Sequence, residues 1–561
     1  MRRAPTFRLQ TGAAVAALIA LLAPGRLAGI QGGASLAANV DPIFARWTDA
    51  TPGCAAGVSR EGRPVLERAY GLADLEHGVK NAPDTIFEAG SVSKQFTAAA
   101  VLLLARDGKL SLDDEARKYV PELPDYGAPL TIRHMLNHTS GLRDWGSVAA
   151  LGGWPRTTRV HTHAHVLDIA SRQRALNFPT GTRYSYSNTG YNLAAVIVSR
   201  VSGMSFAEFS RTRIFEPLGM TRTSWRDDHT RIVKGRATAY SDARGTFRIN
   251  MPFENVHGNG GLLTTVGDLL RWTAHFSTPT LGDAGFIREM QEPGRFSDGV
   301  QHDYALGLRI APYKGVREVG HSGSTAGYRA YLADYPDQRV SVAVLCNVSS
   351  GNAAQYAHAV ADLYLGSAVS NEAGTGGRRP AAAYTLAPAE VEAAAGEYRD
   401  VTTGEPLRLV AASGALRLNG NTALQAESGT RFTASGGRVV ELGMRNRLRV
   451  VDRFGRADVY ERVPAADVKP RPLTDYAGAY VSDEAEVTYV AAVEGDALVL
   501  RRRPRAVLRL TPVYADGFRA PIGFVRFTRG ADGAVTGFHV TQARVWKLVF
   551  EKVMAGETAT R

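Results

Sequence analysis

The stretch Phe87-Glu88-Ala89-Gly90-Ser91-Val92-Ser93-Lys94-Gln95-Phe96, continuing through Thr97-Ala98-Ala99-Ala100-Val101-Leu102-Leu103-Leu104, constrains this chain more than any other. Its apolar run is long, lacks proline and stops at Asp107-Gly108, which predicts a buried helix entered by a sharp turn at Gly90. Ser91 then stands at the helix N-terminus, where unpaired N–H groups and the positive dipole end favour a developing negative charge. Lys94, three residues on, lies on the same face. A serine hydroxyl beside a half-buried lysine is a nucleophile beside its base, because burial lowers the lysine pKa and leaves a usable neutral fraction. A chain of this length carries roughly one Ser-x-x-Lys by chance, so the rest of the sequence has to decide its meaning.

The 561 residues are enough for two to four domains with a sizeable core. Composition is that of a globular protein, 44% hydrophobic and 21% charged, and the net charge of +12 is spread along the chain. Its densest cluster, Arg501-Arg502-Arg503-Pro504-Arg505, fits an exposed strand end better than a nucleic-acid surface, since no recognition motif accompanies it. Residues 1–34 read as a signal peptide: Arg2, Arg3 and Arg8 precede an apolar stretch from Gly12 to Ala23, and cleavage is expected between Ala28 and Ala37. No cysteine stands near that point to accept a lipid, and no other segment reaches membrane-spanning length. The expectation is a secreted or periplasmic protein without an integral span. The two cysteines, Cys54 and Cys346, lie on strand-like runs and pair if those strands are neighbours; otherwise they are two buried thiols.

Residues 36–366 mix helix and strand signals. An early hairpin is expected at Gly53–Val58 and Arg63–Tyr70, turning at Glu61-Gly62, and strands return at Tyr304–Pro312, Val316–Gly320, Gly327–Asp334 and Val340–Asn347 before a helix at Ala353–Leu365. That order predicts an α+β domain whose one sheet is built from both chain ends around a mainly helical middle. Residues 367–384 form a linker rich in Gly, Ser and Ala. Beyond it the chain repeats itself: Gly396-Glu397-Tyr398 returns as Gly478-Ala479-Tyr480, Gly414–Leu418 as Asp496–Leu500, and Val459–Val463 as Val549–Val553. Two small antiparallel β-barrels, 385–465 and 470–555, account for the repeat.

Two further stretches carry reactive side chains. Gly181–Tyr191 reads as a polar loop ahead of a helix from Asn192, with Tyr186 able to relay a proton and Asn188 able to hold Lys94 and a substrate carbonyl; alone it also fits a turn with packed tyrosines. In Val319–Gly327, glycines let a substrate backbone approach a strand, a backbone N–H can join that of Ser91 as an oxyanion hole, and His321 is available as a tuned cation or donor; alone it also fits a glycine-rich hairpin. His161-Thr162-His163-Ala164-His165 lacks a partner at metal-site spacing, so no metal or other cofactor is expected.

Ser91-Val92-Ser93-Lys94, Tyr186-Ser187-Asn188 and His321-Ser322-Gly323 resemble, in order and spacing, the motifs of the serine β-lactamase and penicillin-binding-protein superfamily. The flanks Ile132–Leu142, Phe215–Met220 and Gly260–Thr265 resemble it too. The resemblance implies a β-lactamase-like three-layer domain in which Ser91 is acylated, Lys94 and Tyr186 share general-base and general-acid duty, and Asn188 positions the acyl group. It also implies that the N–H groups of Ser91 and Ser324, beside Gly323, form the oxyanion hole. The third motif departs, with His321 where the family's β-lactamases and transpeptidases carry a lysine that binds a substrate carboxylate. That departure, and the two lipocalin-like barrels, resemble the D-aminopeptidase and esterase branch. The function implied is an exported serine hydrolase of D-amino-acid peptides, amides or small esters. The alternatives are a β-lactamase or DD-carboxypeptidase, or a weakly catalytic envelope protein that binds a ligand. The expected partner is a small-molecule or peptide substrate, with peptidoglycan or an envelope surface as a second class.

Overall fold

The computed structural model describes residues 36–369, 384–443, 446–467, 471–503 and 505–553. The expected signal peptide and nearly all of the expected linker, 370–383, lie outside the described residues.

Strands β1 (Cys54–Arg60) and β2 (Arg63–Tyr70) form the first hairpin. Its turn residues Glu61 and Gly62 take positive φ, 54° and 75°, as the twist of a two-residue hairpin turn requires. Four later strands complete the sheet: β3 (Arg309–Tyr313), β4 (Val316–Thr325), β5 (Tyr328–Tyr335) and β6 (Val340–Cys346). The order is β3-β4-β5-β6-β1-β2 with every pairing antiparallel, so strands from the two ends of the domain meet at β1 and β6. That register sets Cys54 opposite Cys346, and the two form a disulfide.

The helices make the outer layers. Helix α1 (Lys94–Arg106) is buried from Lys94 to Leu104 on every side, which is why its sequence shows an unbroken apolar run and no polar stripe. Helix α2 (Asn188–Ser202) packs beside it. Helix α3 (Val266–Ser277) lies against β1, β2 and β6 and meets α1 through Trp272 on Phe96, ring centroids 4.3 Å apart. Helix α4 (Ala353–Leu365) covers the opposite face in a second core with Phe44, Trp47 and Tyr356.

Beyond residue 384, nine short strands roll into a nearly closed sheet. Its two edges, Thr422–Ala423 and Gln425–Ala426, are separated in sequence only by Leu424. Eight more strands, from Gly478–Ser482 to Val545–Lys552, close completely, the first pairing with the last. The repeated Gly-x-Tyr opens each unit, and its buried tyrosine donates to the carbonyl four residues back: Tyr398 to Ala394 at 2.9 Å and Tyr480 to Tyr476 at 2.7 Å.

The closed barrel is fastened to the first domain by a buried ion pair. Arg143 and Glu484, with side chains 4% and 9% exposed, meet at 2.8 Å, and Arg143 also donates to the carbonyls of Ala175 and Trp546. Removing one member strands the other charge in a dry interface. Glu484→Ala is expected to cost about 3–5 kcal/mol, toward the lower end because two carbonyls still serve Arg143. Faster hydrogen exchange at the barrel–domain interface and a lower urea midpoint would register it, with partial recovery in Glu484→Gln.

Candidate active site

Ser91 stands on a 3-10 turn, Gly90–Ser93, that leads directly into α1. The strand before it, Phe87–Glu88, is anchored by the buried Glu88 carboxylate, which accepts two hydrogen bonds from Arg226 at 2.8 and 3.0 Å and one from Arg236 at 3.3 Å. Strand β3 pairs with β4 only as far as Gly320, so His321–Thr325 turn that edge toward the Ser91 turn. The approach is close enough to require glycine twice. A Cβ on Gly90 (φ 52°) would lie 2.6 Å from the Ser324 nitrogen, and one on Gly323 would lie 2.0 Å from the Ala89 carbonyl oxygen. The glycines therefore bring the Ser324 backbone alongside Ser91.

Lys94 is fully buried at the first turn of α1. Its Nζ lies 3.2 Å from Ser91 Oγ, 2.9 Å from Asn188 Oδ1 and 2.7 Å from the Asn259 carbonyl oxygen. The Asn188 amide is oriented by Asp144, whose Oδ2 accepts from Asn188 Nδ2 at 2.8 Å and from Asn188 N–H at 2.9 Å. The second contact caps α2, so the helix starts at Asn188, four residues earlier than the sequence pattern suggests. Burial holds the Lys94 amine well below its ordinary pKa; the Asp144 carboxylate opposes that shift, and Arg156 and Arg544 reinforce it. A neutral amine has two N–H donors and one lone pair. Asn188 Oδ1 and the Asn259 carbonyl can only accept, so they take both donors and leave the lone pair for the Ser91 hydroxyl proton.

Tyr186 adjoins Ser91, with its ring centroid 4.8 Å from Lys94 Nζ. Burial holds its phenol above the ordinary range, so it keeps its proton. The segment bearing it is held from the Ile132–Leu142 side: Ser185 N–H donates to the His138 carbonyl at 2.9 Å, and Ser187 N–H to His138 Nδ1 at 3.2 Å. His321 is neutral, its pKa lowered to about 3 by burial and by Lys94. Its Nδ1 lies 2.6 Å from the Ser322 carbonyl oxygen, so Nδ1 carries the proton, and Nε2 accepts from Tyr304 OH at 2.9 Å. His321 therefore brings no charge to the site.

Ser91, Tyr186, Asn188, His321 and Ser324 line one cavity of about 400 Å³, with Lys94 beneath it and Gly323 behind its wall. Sequence reasoning did not single out Asp144, Asn259, Arg156 or Arg544. Asp144 and Asn259 flank the Ile132–Leu142 and Gly260–Thr265 stretches, a proximity that marks them in retrospect. Arg544 belongs to the last hairpin turn of the closed barrel, and no local pattern points to it. In the histidine tract, His161 faces the Trp154 carbonyl and packs edge-on against His165, 5.7 Å between ring centroids; His163 faces the His257 carbonyl, and His165 accepts from Thr162 N–H.

Fold and site define the class, a serine hydrolase. The beta-lactamase family model matches residues 37–366. The chain is similar to D-aminopeptidase of Brucella melitensis, 28% identical over 521 residues, covering 90% of this chain and 92% of that protein. It is 30% identical over 330 residues to D-aminopeptidase of Cereibacter sphaeroides, covering 58% of this chain and 62% of that one. Among solved structures, the octameric penicillin-binding protein homologue from Pyrococcus abyssi shares the fold with a TM-score of 0.53 at 23% identity, over 84% of this chain and 99% of that one. D-amino acid amidase from Ochrobactrum anthropi SV3 does so with a TM-score of 0.51 at 22% identity, over 60% of this chain and 99% of that one. The chain belongs to the β-lactamase family of serine hydrolases.

With Lys94 as the base, the charges around it are expected to set the acidic limb of the pH profile, because an amine takes up a proton only when neutral. Asp144→Asn keeps an acceptor oxygen for Asn188 and removes the charge that raises the Lys94 pKa, so the limb moves to lower pH. Arg544→Met removes a charge that lowers that pKa, so the limb moves to higher pH. Ser91 acylation by a neutral ester, followed against pH in both variants, checks the opposite signs.

Proposed function

We propose that this protein is an exported serine hydrolase that cleaves D-amino-acid amides and short D-peptides through an acyl-enzyme on Ser91. The observation that carries the mechanism is the hydrogen-bond set of Lys94 Nζ, which leaves its lone pair for Ser91. Lys94 takes the hydroxyl proton as Ser91 Oγ attacks the scissile carbonyl. The oxyanion rests on the N–H groups of Ser91 and Ser324, the former also at a helix start whose dipole favours negative charge. Tyr186, protonated at rest, donates to the leaving nitrogen and regains a proton from Lys94, which holds the one taken from Ser91. Asn188 holds Lys94 and offers its amide edge to the acyl group. Water then attacks the ester, with the proton relay running in reverse. The substrate class is supported by the D-aminopeptidases that match along most of the chain.

Intact-mass analysis after a fluorophosphonate is expected to find one adduct on the wild type and none on Ser91→Ala. With D- and L-alanine amides as a matched pair, the D form is expected to be hydrolysed and Ser91→Ala to abolish turnover. Lys94→Ala and Tyr186→Phe should each lower acylation by about two to four orders of magnitude, and the double variant by much less than the product, since the two act as one relay. Equal hydrolysis of both enantiomers would remove the D-specific reading and leave the hydrolase.

A further inference from the structure

Among the described residues, no acidic group lines the active-site cavity. Its charged lining side chains are Arg156 and Arg544. The Arg156 charge is matched, since Glu254, itself 3% exposed, holds its guanidinium through both carboxylate oxygens. Arg544 is different. Its guanidinium makes no hydrogen bond among the described residues, and its side chain is 44% exposed. The carboxylate nearest to it is Asp144, 3.9 Å away at Oδ2, the same oxygen that Asn188 already occupies with two hydrogen bonds. His321 is neutral with both nitrogens engaged, so the third motif supplies no cation.

The position of Arg544 is built. Its main-chain carbonyl accepts from Asp144 N–H at 3.2 Å and from Asn177 Nδ2 at 3.1 Å, and the next residue but one, Trp546, donates its N–H to Asn177 Oδ1 at 2.8 Å. The main chain therefore does the fastening and leaves the guanidinium to face the cavity. It stacks over the Tyr186 ring, 4.8 Å from the centroid. Tyr186 is the proton donor to the leaving group in the mechanism above, so an anion held by Arg544 belongs to the leaving half of the substrate.

We propose that Arg544, carried into the site by the closed barrel, is the specificity-determining group for a carboxylate on the leaving half of the substrate, so that the preferred D-peptides end in a free carboxylate beyond the scissile bond. This rests on the assignment of Tyr186 as leaving-group acid. A planar guanidinium pairs with a carboxylate through two parallel hydrogen bonds.

The test uses the full-length protein and two pairs of substrates. One pair is N-acetyl-D-alanyl-D-alanine and its C-terminal N-methylamide; the other, with no D centre, is 4-acetoxybenzoate and its methyl ester. In each pair the ratio of kcat/KM, anionic over neutral, is compared between the wild type and variants, with Ser91→Ala as the blank. In Arg544→Met the ratio is expected to fall about tenfold or more, the size of a charge-assisted pair. Arg544→Lys should keep part of it. Arg509→Met, on the outer surface of the same barrel, should leave it as in the wild type. A ratio in Arg544→Met equal to that of the wild type would overturn the assignment. If neither peptide is cleaved while the ester ratio falls, the D-peptide reading fails and the role of Arg544 stands.

Discussion

The proposed catalytic arrangement depends on one buried nitrogen, Lys94 Nζ. Taking an ammonium out of water costs several kcal/mol unless a counter-charge meets it. Here the nearest carboxylate is kept one residue away: Asp144 grips the Asn188 amide, and the amide meets Lys94. A carboxylate in direct contact would hold the amine charged. The intervening amide passes on a hydrogen bond and orients the side chain while leaving desolvation as the larger influence on the pKa. The backbone carbonyl of Asn259 completes the set at 2.7 Å. Both acceptors are fixed by the fold, one at the first turn of α2 and the other on the loop before Leu262–Thr264, so the direction of the lone pair is fixed with them.

Asp144 joins this floor to the closed barrel. Its carboxylate caps the helix Trp145–Leu151 through Ser147 N–H and holds Asn188, while its own N–H is taken by the Arg544 carbonyl. One residue before it, Arg143 is pinned by Glu484 of the barrel. Two consecutive residues thus tie the helix that bears Asn188 to a domain far along the chain. The barrel is part of the active-site wall, and Asp144 links its docking to the surroundings of Lys94.

What the sequence disclosed follows from range. The α1 run, the β1–β2 turn and the helix Ala353–Leu365 are local patterns, and local patterns survive translation into structure. The Gly-x-Tyr repeat marked both barrels because each tyrosine serves its own unit through a carbonyl four residues back. The three motifs placed Ser91, Lys94, Tyr186, Asn188 and His321. The pattern stopped short where a distant contact overrides propensity: α2 begins at Asn188 because a carboxylate from another loop caps it, and no periodicity in Gly181–Tyr191 carries that information. Arg544 is the extreme case, an ordinary turn residue whose importance comes from its 3D neighbours alone.

Histidine in place of lysine at the third motif removes a fixed positive charge. The environment then goes further than the substitution demands. An imidazole with an ordinary pKa would still be partly charged near neutrality. Burial and the neighbouring Lys94 suppress that charge, and Tyr304 and the Ser322 carbonyl use up both ring nitrogens. A second cation beside Lys94 would also lower the Lys94 pKa further, and a charged His321 would need the Tyr304 hydroxyl to turn from donor to acceptor. Burial and Lys94 thus keep the imidazole neutral, and any positive charge facing the substrate has to come from a more exposed position. The barrel hairpin supplies one at the rim, the guanidinium of Arg544, whose side chain is 44% exposed.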